Sequence, residues 1–354
     1  MRWVQNQNKK KIYQLLFFVI SILFIWFFVR HFGQVQNAVE TLAHASWYFM
    51  IALAGLLVLS IINRGAFYHS LYDFFGARDS LKRLITLSLA SAFVGLAAPS
   101  GGLSGAAVFI SEAEKQGMNK TKSTFVYLFS QFLIYSVFLL ILLFGLFYLL
   151  FNHQLQKYQI ITAAVLFGII FFFIFSMFVA LESAAKLKKL FQFVSAAINY
   201  LARLLSRRGD LISGEDVHLV SQEIRNSLEL VERNFKHLWL PILHVFLMEA
   251  IDILILYYVI LAFGYQVYPG VLITVYAVGV LFTLISITPS GVGVVEATMI
   301  VVLTNLKVPV ELATISVVGY RIFTFWIPFI LGYFAFRVYN NDKILRLEDS
   351  NGSH

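Results

Sequence analysis

Long apolar runs, separated by short polar segments, dominate the pattern along the chain. We interpret six of them as helices that cross a hydrocarbon core of about 30 Å, and these are residues 12–29, 47–62, 123–151, 158–181, 238–263 and 311–336. Two further runs, 84–110 and 271–304, are each interrupted by the tripeptide Pro-Ser-Gly. The pattern predicts an all-α polytopic membrane protein with eight hydrophobic segments, about six of which span the membrane fully.

Composition excludes the soluble classes of protein. Hydrophobic residues make up 59% of the 354 residues and charged residues 13%, with a mean hydropathy of +0.79. The chain has no cysteine, no pair of histidines at metal-ligand spacing, no Walker loop and no dinucleotide fingerprint. We therefore predict no catalytic residue, metal or cofactor. The net charge of +8 does not indicate nucleic acid, because membrane topology explains it.

The distribution of Lys and Arg predicts the topology. If both interrupted runs enter and return on one side, 23 Lys and Arg are cytoplasmic and only Arg30, Lys157 and Lys307 lie outside. If both cross fully, the division is 12 inside and 14 outside. The positive-inside rule favours two re-entrant segments and cytoplasmic N- and C-termini in a bacterial cell membrane. Letting only 271–304 cross gives 21 to 5, so that alternative stays open on charge alone.

An internal symmetry relates the two interruptions. Pro99-Ser100-Gly101 and Pro289-Ser290-Gly291 lie 190 residues apart, and the same shift superimposes the apolar runs that flank them. The first unit starts outside and the second inside, which predicts inverted repeats with a site near the bilayer midplane.

These units divide one integral membrane domain, residues 1–354. We define repeat A as about 47–151 and repeat B as about 238–336. Residues 182–237 between them are predicted to be cytoplasmic, with an interfacial amphipathic helix at 186–208 and a second amphipathic helix at roughly 215–237.

The interruptions predict a substrate site. A short helix that restarts after each break, capped by Ser100, Ser104 or Ser290, would present free N–H groups and a partial positive charge to a phosphate. Glycines would let that group approach the backbone, although they are equally able to serve close helix packing. The residues assigned to this site are Pro99, Ser100, Gly101, Gly102, Ser104, Gly105, Pro289, Ser290, Gly291 and Gly293.

Four charged residues at membrane depth complete the predicted substrate site. They are Glu249, Asp252, Glu296 and Arg321, and intramembrane charges are functional hypotheses by default. The alternative is a structural ion pair of Arg321 with Glu296 or Asp252. Gln131 is equivalent to Arg321 under the 190-residue shift. We expect it to form an interhelical hydrogen bond rather than to bind substrate.

Three stretches carry a resemblance to a known family. "GLAAPSGGLSGAAVFISEAEKQG", "SITPSGVGVVEATMIVVL" and "VGYRIFTFWIPFILGYFAF" are similar to the flippase-like membrane domain of the lysylphosphatidylglycerol synthase family, known as multiple peptide resistance factor. The resemblance, over about residues 10 to 340, implies translocation of a phospholipid and antimicrobial peptide resistance. It supports a substrate-site role for Pro99, Gly101, Gly102, Gly105, Pro289, Gly291, Gly293, Glu296 and Arg321.

The resemblance leaves function classes open. We expect lipid translocation, with an aminoacylated lipid such as lysyl-phosphatidylglycerol as substrate, because the lysyl-transferring domain of full-length members is not among these residues. The alternatives are the membrane subunit of an aminoacyl- or glycosyl-lipid pathway, of the phosphatidylglycerol lysyltransferase type, and a small-solute or ion transporter. A separate lipid-modifying transferase and a homo-oligomer are compatible partners.

Overall fold

The computed structural model describes residues 47–97, 105–115, 117–153, 214–286 and 289–351, with single positions and pairs between 160 and 175. Its described elements are helices, and no strand occurs among them. The predicted helix at 12–29, most of the run at 158–181 and the interfacial helix at 186–208 lie outside the described residues.

The helices follow the chain with short connections. They are α1 (Trp47–Phe74), α2 (Leu81–Ala97), α3 (Ala106–Lys115), α4 (Lys120–Phe151), α5 (Gly214–Arg233), α6 (Trp239–Ala262), α7 (Pro269–Ile285), α8 (Val294–Asn305), α9 (Val310–Arg321) and α10 (Ile327–Asn351). A 3₁₀ turn, Phe235–Leu238, leads into α6, and another, Pro289–Gly291, precedes α8. One π-helical turn, Ile322–Trp326, joins α9 to α10.

The described part of the chain contains four helical stretches that are long and apolar enough to cross a membrane. They are Trp47–Phe74, Lys120–Phe151, Phe235–Ala262 and Val310–Tyr339. The prediction of an all-α polytopic membrane protein is confirmed. Between these stretches, the arms α3 and α8 have 10 and 12 residues, so they rise only about 15–18 Å, roughly half of a hydrocarbon core.

The helix bounds reproduce the 190-residue repeat. The shift carries α1 onto α6, α2 onto α7, α3 onto α8, and α4 onto the continuous stretch α9–α10. The equivalent helices α1 and α6 pack against each other in opposite directions. The Phe49 and Tyr258 rings lie 6.5 Å apart near one end, and Asn63 Nδ2 donates to the His244 carbonyl, at 2.8 Å, near the other. Equivalent helices that pack antiparallel support an inverted relation between the two repeats.

Each interrupted run is a helical hairpin. In repeat B, a Cβ atom at Gly279 would lie 2.8 Å from the Met299 sulfur, and one at Gly291 would lie 3.2 Å from Thr283 Cα. The earlier position on α7 thus meets the later position on α8, and the later position on α7 meets a residue just before α8, so α7 and α8 run antiparallel. In repeat A, Ser91 Oγ on α2 donates to the Gly105 carbonyl at 2.9 Å, directly before α3. In repeat B the chain therefore turns back on itself within the bundle, which favours the re-entrant alternative over a full crossing.

Each hairpin packs against the long helix of the other repeat. The Phe93 ring on α2 lies 5.0 Å from that of Phe329 on α10, and Gly332 lets α10 approach the Leu89 carbonyl. The equivalent contact joins α4 to α7, where Gly145 faces Ala277. The two repeats are thus interlocked rather than side by side.

Helix α1 extends well beyond the apolar run that predicted it. The run ends at residue 62, whereas the helix continues to Phe74, so Arg64, which the topology assigned to a cytoplasmic segment, lies inside the helix. Two polar residues just after 62 find partners on α6. Asn63 bonds to His244, and Arg64 bonds to Asp252. Membrane-protein polar residues that find partners continue a helix as well as apolar ones do.

The predicted second amphipathic helix is present as α5. Leu228 and Val231 are buried on its inner face, and Arg225 Nε donates to Glu229 Oε1 at 2.9 Å one turn apart. Its cytoplasmic location stays a prediction.

The orientation has a direct test, because the chain contains no cysteine. Glu114, at the end of α3, is predicted to be cytoplasmic, and Glu311, at the start of α9, external; both are exposed. In intact cells, an impermeant maleimide is expected to label Glu311→Cys and to spare Glu114→Cys until the membrane is permeabilised. Labelling of Glu114→Cys from outside would contradict the predicted orientation.

Candidate functional site

Two neighbouring cavities lie between the repeats. Cavity A, of about 290 Å³, is lined by residues that include Tyr68, Phe109, Tyr127, Gln131 and Tyr135. Cavity B, of about 240 Å³, is lined by residues that include Asp252, Tyr276, Met299, Tyr320 and Arg321. The cavities share six lining residues: Arg64, Ser88, Ala92, Leu96, Thr283 and Ser290. These shared residues come from both repeats, so the cavities meet at the repeat interface.

The cavities are related by the internal repeat. Five positions of cavity A have 190-residue equivalents in cavity B: Phe109 and Met299, Gln131 and Arg321, Ile134 and Thr324, Tyr135 and Phe325, and Ser286 and Leu96. The repeat thus supplies two related cavities. Cavity B has the charged guanidinium of Arg321 where cavity A has the neutral amide of Gln131.

The break in repeat B has an unusual backbone. Ser290 has φ 51° and ψ 24°, and Gly291 and Gly293 have φ 69° and 87°. A left-handed conformation at a residue with a side chain costs on the order of 1–3 kcal/mol and is typical of functional sites. Ser290 Oγ donates to the Leu96 carbonyl, at 3.4 Å, so this break meets the end of α2 in repeat A.

The predicted serine cap of α8 is wrong. Gly293 is the N-cap residue, and its N–H donates to Glu296 Oε2 at 2.6 Å. Ser290 lies in the left-handed turn before it and turns its hydroxyl to Leu96 instead. A carboxylate of the same helix thus occupies part of the α8 N-terminus, where a phosphate was predicted to bind.

Arg321 is held by protein groups on several sides. Its Nε donates to Glu296 Oε1 at 2.7 Å and its Nη2 to the Ser290 carbonyl at 3.2 Å, while the guanidinium lies 4.5 Å from the centre of the Phe325 ring. The side chain is 9% exposed. The expected ion pair therefore forms with Glu296 and not with Asp252. It fixes the break of repeat B against the long helix, at the start of the π-helical turn, a feature common at functional sites.

Asp252 pairs instead with Arg64 of the opposite repeat. Arg64 Nη2 lies 3.1 Å from Asp252 Oδ2, and the two side chains are 46% and 15% exposed. Arg64 lies within a packed helix and faces the two cavities, which accounts for its exposure. Sequence reasoning missed this residue because it follows an apolar run. The signal available was Asp252 itself, since a carboxylate at that depth needs a cation.

Glu249 lies one turn from Asp252 but does not line either cavity. It is 6% exposed and accepts a hydrogen bond of 2.7 Å from the Tyr276 hydroxyl. Tyr276 itself lines cavity B, so Glu249 holds one of the groups of that cavity.

Gly105 and Gly291 serve close packing. A Cβ atom at Gly105 would lie 2.6 Å from both the carbonyl oxygen and the hydroxyl of Ser91, and one at Gly291 would contact the Val295 side chain. Of the predicted residues in the first break, Pro99, Ser100, Gly101, Gly102 and Ser104 lie outside the described residues. In the part of the chain that the structure describes, no three His, Asp or Glu side chains converge as metal ligands would.

Comparison with known proteins gives the family. Residues 14–332 match the family described as the lysylphosphatidylglycerol synthase TM region. The chain belongs to this family. A UPF0104 membrane protein of Methanocaldococcus jannaschii is 25% identical over 328 residues, which cover 90% of this chain and 92% of that protein. The family match and the apolar helices together establish that this chain is a multi-pass membrane protein of a lipid-related family.

Proposed function

We propose that this chain translocates a phospholipid across the cytoplasmic membrane, and that its substrate is aminoacylated, as lysyl-phosphatidylglycerol is. The observation that carries the proposal is the pair of cavities between two inverted repeats, lined by charged groups of both signs. Inverted repeats around a midplane site are the architecture of alternating-access transport. Membership of the family adds a lipid as the class of cargo.

The cavity volumes fit a headgroup rather than a whole lipid. Cavities of about 290 and 240 Å³ lie near the lower end of small-molecule sites. Acyl chains are compatible with the hydrocarbon and need no protein cavity. In this proposal the headgroup passes between the repeats while the chains stay in the bilayer.

The predicted substrate residues take different parts in this proposal. Asp252, Ser290 and Arg321 line cavity B; Asp252 and Ser290 are assigned direct contact with the headgroup, whereas Arg321 is assigned to hold the break of repeat B. Glu296 and Gly293 hold Arg321 and the break in position. The antimicrobial-resistance role and a separate partner transferase also belong to the proposal.

A reconstitution experiment tests the function. Purified protein in liposomes is given tail-labelled lysyl-phosphatidylglycerol, and the labelled lipid accessible to an external quencher is followed over time. We expect exchange between leaflets within minutes, against none in protein-free liposomes. Gly55→Leu is a matched variant that should not change the rate, because Gly55 is exposed on α1 with open space around it.

Two results would redirect the assignment. Exchange at the protein-free rate, with lysyl-phosphatidylglycerol formed only when a transferase is added, would favour the membrane subunit of a lipid-modifying pathway. Uptake of a soluble headgroup without any lipid exchange would favour a small-solute transporter.

A further inference from the structure

The Arg64–Asp252 ion pair occupies the junction of cavities A and B. Arg64 lines both cavities, whereas Asp252 lines cavity B. The pair also crosses the repeat interface, because Arg64 belongs to α1 and Asp252 to α6. A group that enters either cavity therefore meets the same guanidinium.

Arg64 is the more available of the two cavity arginines. Among the described residues it makes one hydrogen bond, through Nη2, and 46% of its side chain is exposed. Arg321, by contrast, donates through two nitrogens, covers an aromatic ring and is 9% exposed. A guanidinium carries five N–H donors and binds phosphate in a bidentate manner, so Arg64 has donors left for a ligand.

The two cavities differ in charge. The described lining of cavity A has no carboxylate and includes the hydroxyls of Tyr68 and Tyr127 and the amide of Gln131, which can hydrogen-bond to an anion. Cavity B contains the Asp252 carboxylate, and the guanidinium of Arg321, which also lines it, is neutralised by Glu296. Cavity A thus suits the phosphate end of a headgroup, and cavity B suits a cationic end.

We propose that the Arg64–Asp252 pair opens when substrate binds and exchanges partners with the headgroup. The phosphate takes the place of Asp252 on Arg64 from the side of cavity A, and the ammonium group pairs with the freed Asp252 in cavity B. This inference rests on the proposed lipid translocation and assigns its central binding residues.

The exchange explains selectivity by charge pairing. A headgroup with a phosphate and an ammonium group offers a partner to each half of the pair, so neither Arg64 nor Asp252 is left unpaired between the repeats. A headgroup with phosphate alone leaves Asp252 without a cation in a poorly hydrated place, which is strongly unfavourable. Arg64 therefore sets the affinity for phosphate, and Asp252 sets the preference for an ammonium group.

The test compares tail-labelled lipids that differ only in the headgroup: lysyl-phosphatidylglycerol, phosphatidylethanolamine and phosphatidylglycerol. In liposomes of one composition, the unaltered protein is expected to exchange the two ammonium lipids at least about tenfold faster than phosphatidylglycerol. Asp252→Asn should remove this preference, because it slows the ammonium lipids and relieves the penalty on phosphatidylglycerol. Arg64→Gln should slow all three at least about tenfold, and Arg64→Lys should retain part of the rate. Arg337→Gln, an exposed arginine on α10, is the control and should change nothing.

A binding measurement separates this inference from the proposed function. Soluble glycerophosphoethanolamine should raise the melting temperature of detergent-solubilised protein more than glycerophosphoglycerol does, and Asp252→Asn should equalise the two.

Equal rates for all three lipids, or preserved selectivity in Asp252→Asn, would overturn the exchange and leave translocation intact. If no lipid moves, the proposed function fails and the melting shifts alone decide the exchange. If Arg64→Gln does not fold, Arg64→Lys and Asp252→Asn decide it.

Discussion

Replacement of Arg321 by alanine is expected to destabilise the protein severely. The change leaves the Glu296 carboxylate without its cation and the Ser290 carbonyl without a donor, at a place where the arginine is only 9% exposed. Removing one member of a buried pair costs about 3–5 kcal/mol, because the remaining charge is not compensated. We expect a large loss of folded protein after detergent extraction and a markedly lower melting temperature.

The double variant Arg321→Ala with Glu296→Gln decides what the pair is for. A neutral amide still accepts the Gly293 N–H and no longer needs a cation, so most of the stability should return. Because the donors of Arg321 are engaged by protein groups, we expect lipid exchange to return as well. A stable double variant that exchanges no lipid would instead assign Arg321 direct contact with the substrate.

The second large effect is expected at Gly332, where α10 crosses α2. A Cβ atom there would lie 2.7 Å from the Leu89 carbonyl oxygen and 2.9 Å from Phe93 Cβ. Backbone cannot move aside as a flexible side chain does, so even alanine should cost on the order of 1–3 kcal/mol. Leucine should separate the two helices and abolish the folded protein, measured by size-exclusion profile and melting temperature.

Gly55 provides the matched control, because it is also a glycine within a long membrane helix. Among the described residues, no atom lies within 4 Å of a Cβ added there, so Gly55→Leu should leave the melting temperature unchanged. Equal behaviour of Gly332→Leu and Gly55→Leu would contradict the packing of α10 on α2.

The repeat architecture was predictable because its signals are local. A Pro-Ser-Gly tripeptide inside an apolar run marks a break whatever surrounds it, and two such breaks at one spacing define the repeat. The ion pair of Arg321 with Glu296 was predictable for a related reason, since a charge in an apolar helix demands a partner. The sequence left two possible partners, Glu296 and Asp252, and the structure selects Glu296.

What the sequence did not predict depends on contacts between distant helices. From the sequence, Arg64 is predicted to begin a polar loop, because its partner Asp252 is distant in the chain and reaches it only through the packing of α6 on α1. From the sequence, Ser290 is predicted to cap a helix, but its left-handed backbone conformation directs its hydroxyl to the Leu96 carbonyl. Both cases turn on packing across the repeat interface, which no local pattern encodes.

The interlocked packing of the repeats has a consequence for biogenesis. When a ribosome has inserted repeat A, the face of α2 that α10 will cover still lies open, because α10 is made near the end of the chain. The face of α2 that carries Leu89 and Phe93 therefore stays uncovered until α10 has been made. Repeat A alone lacks the helix that completes its packing, so we expect it not to fold as a separate unit.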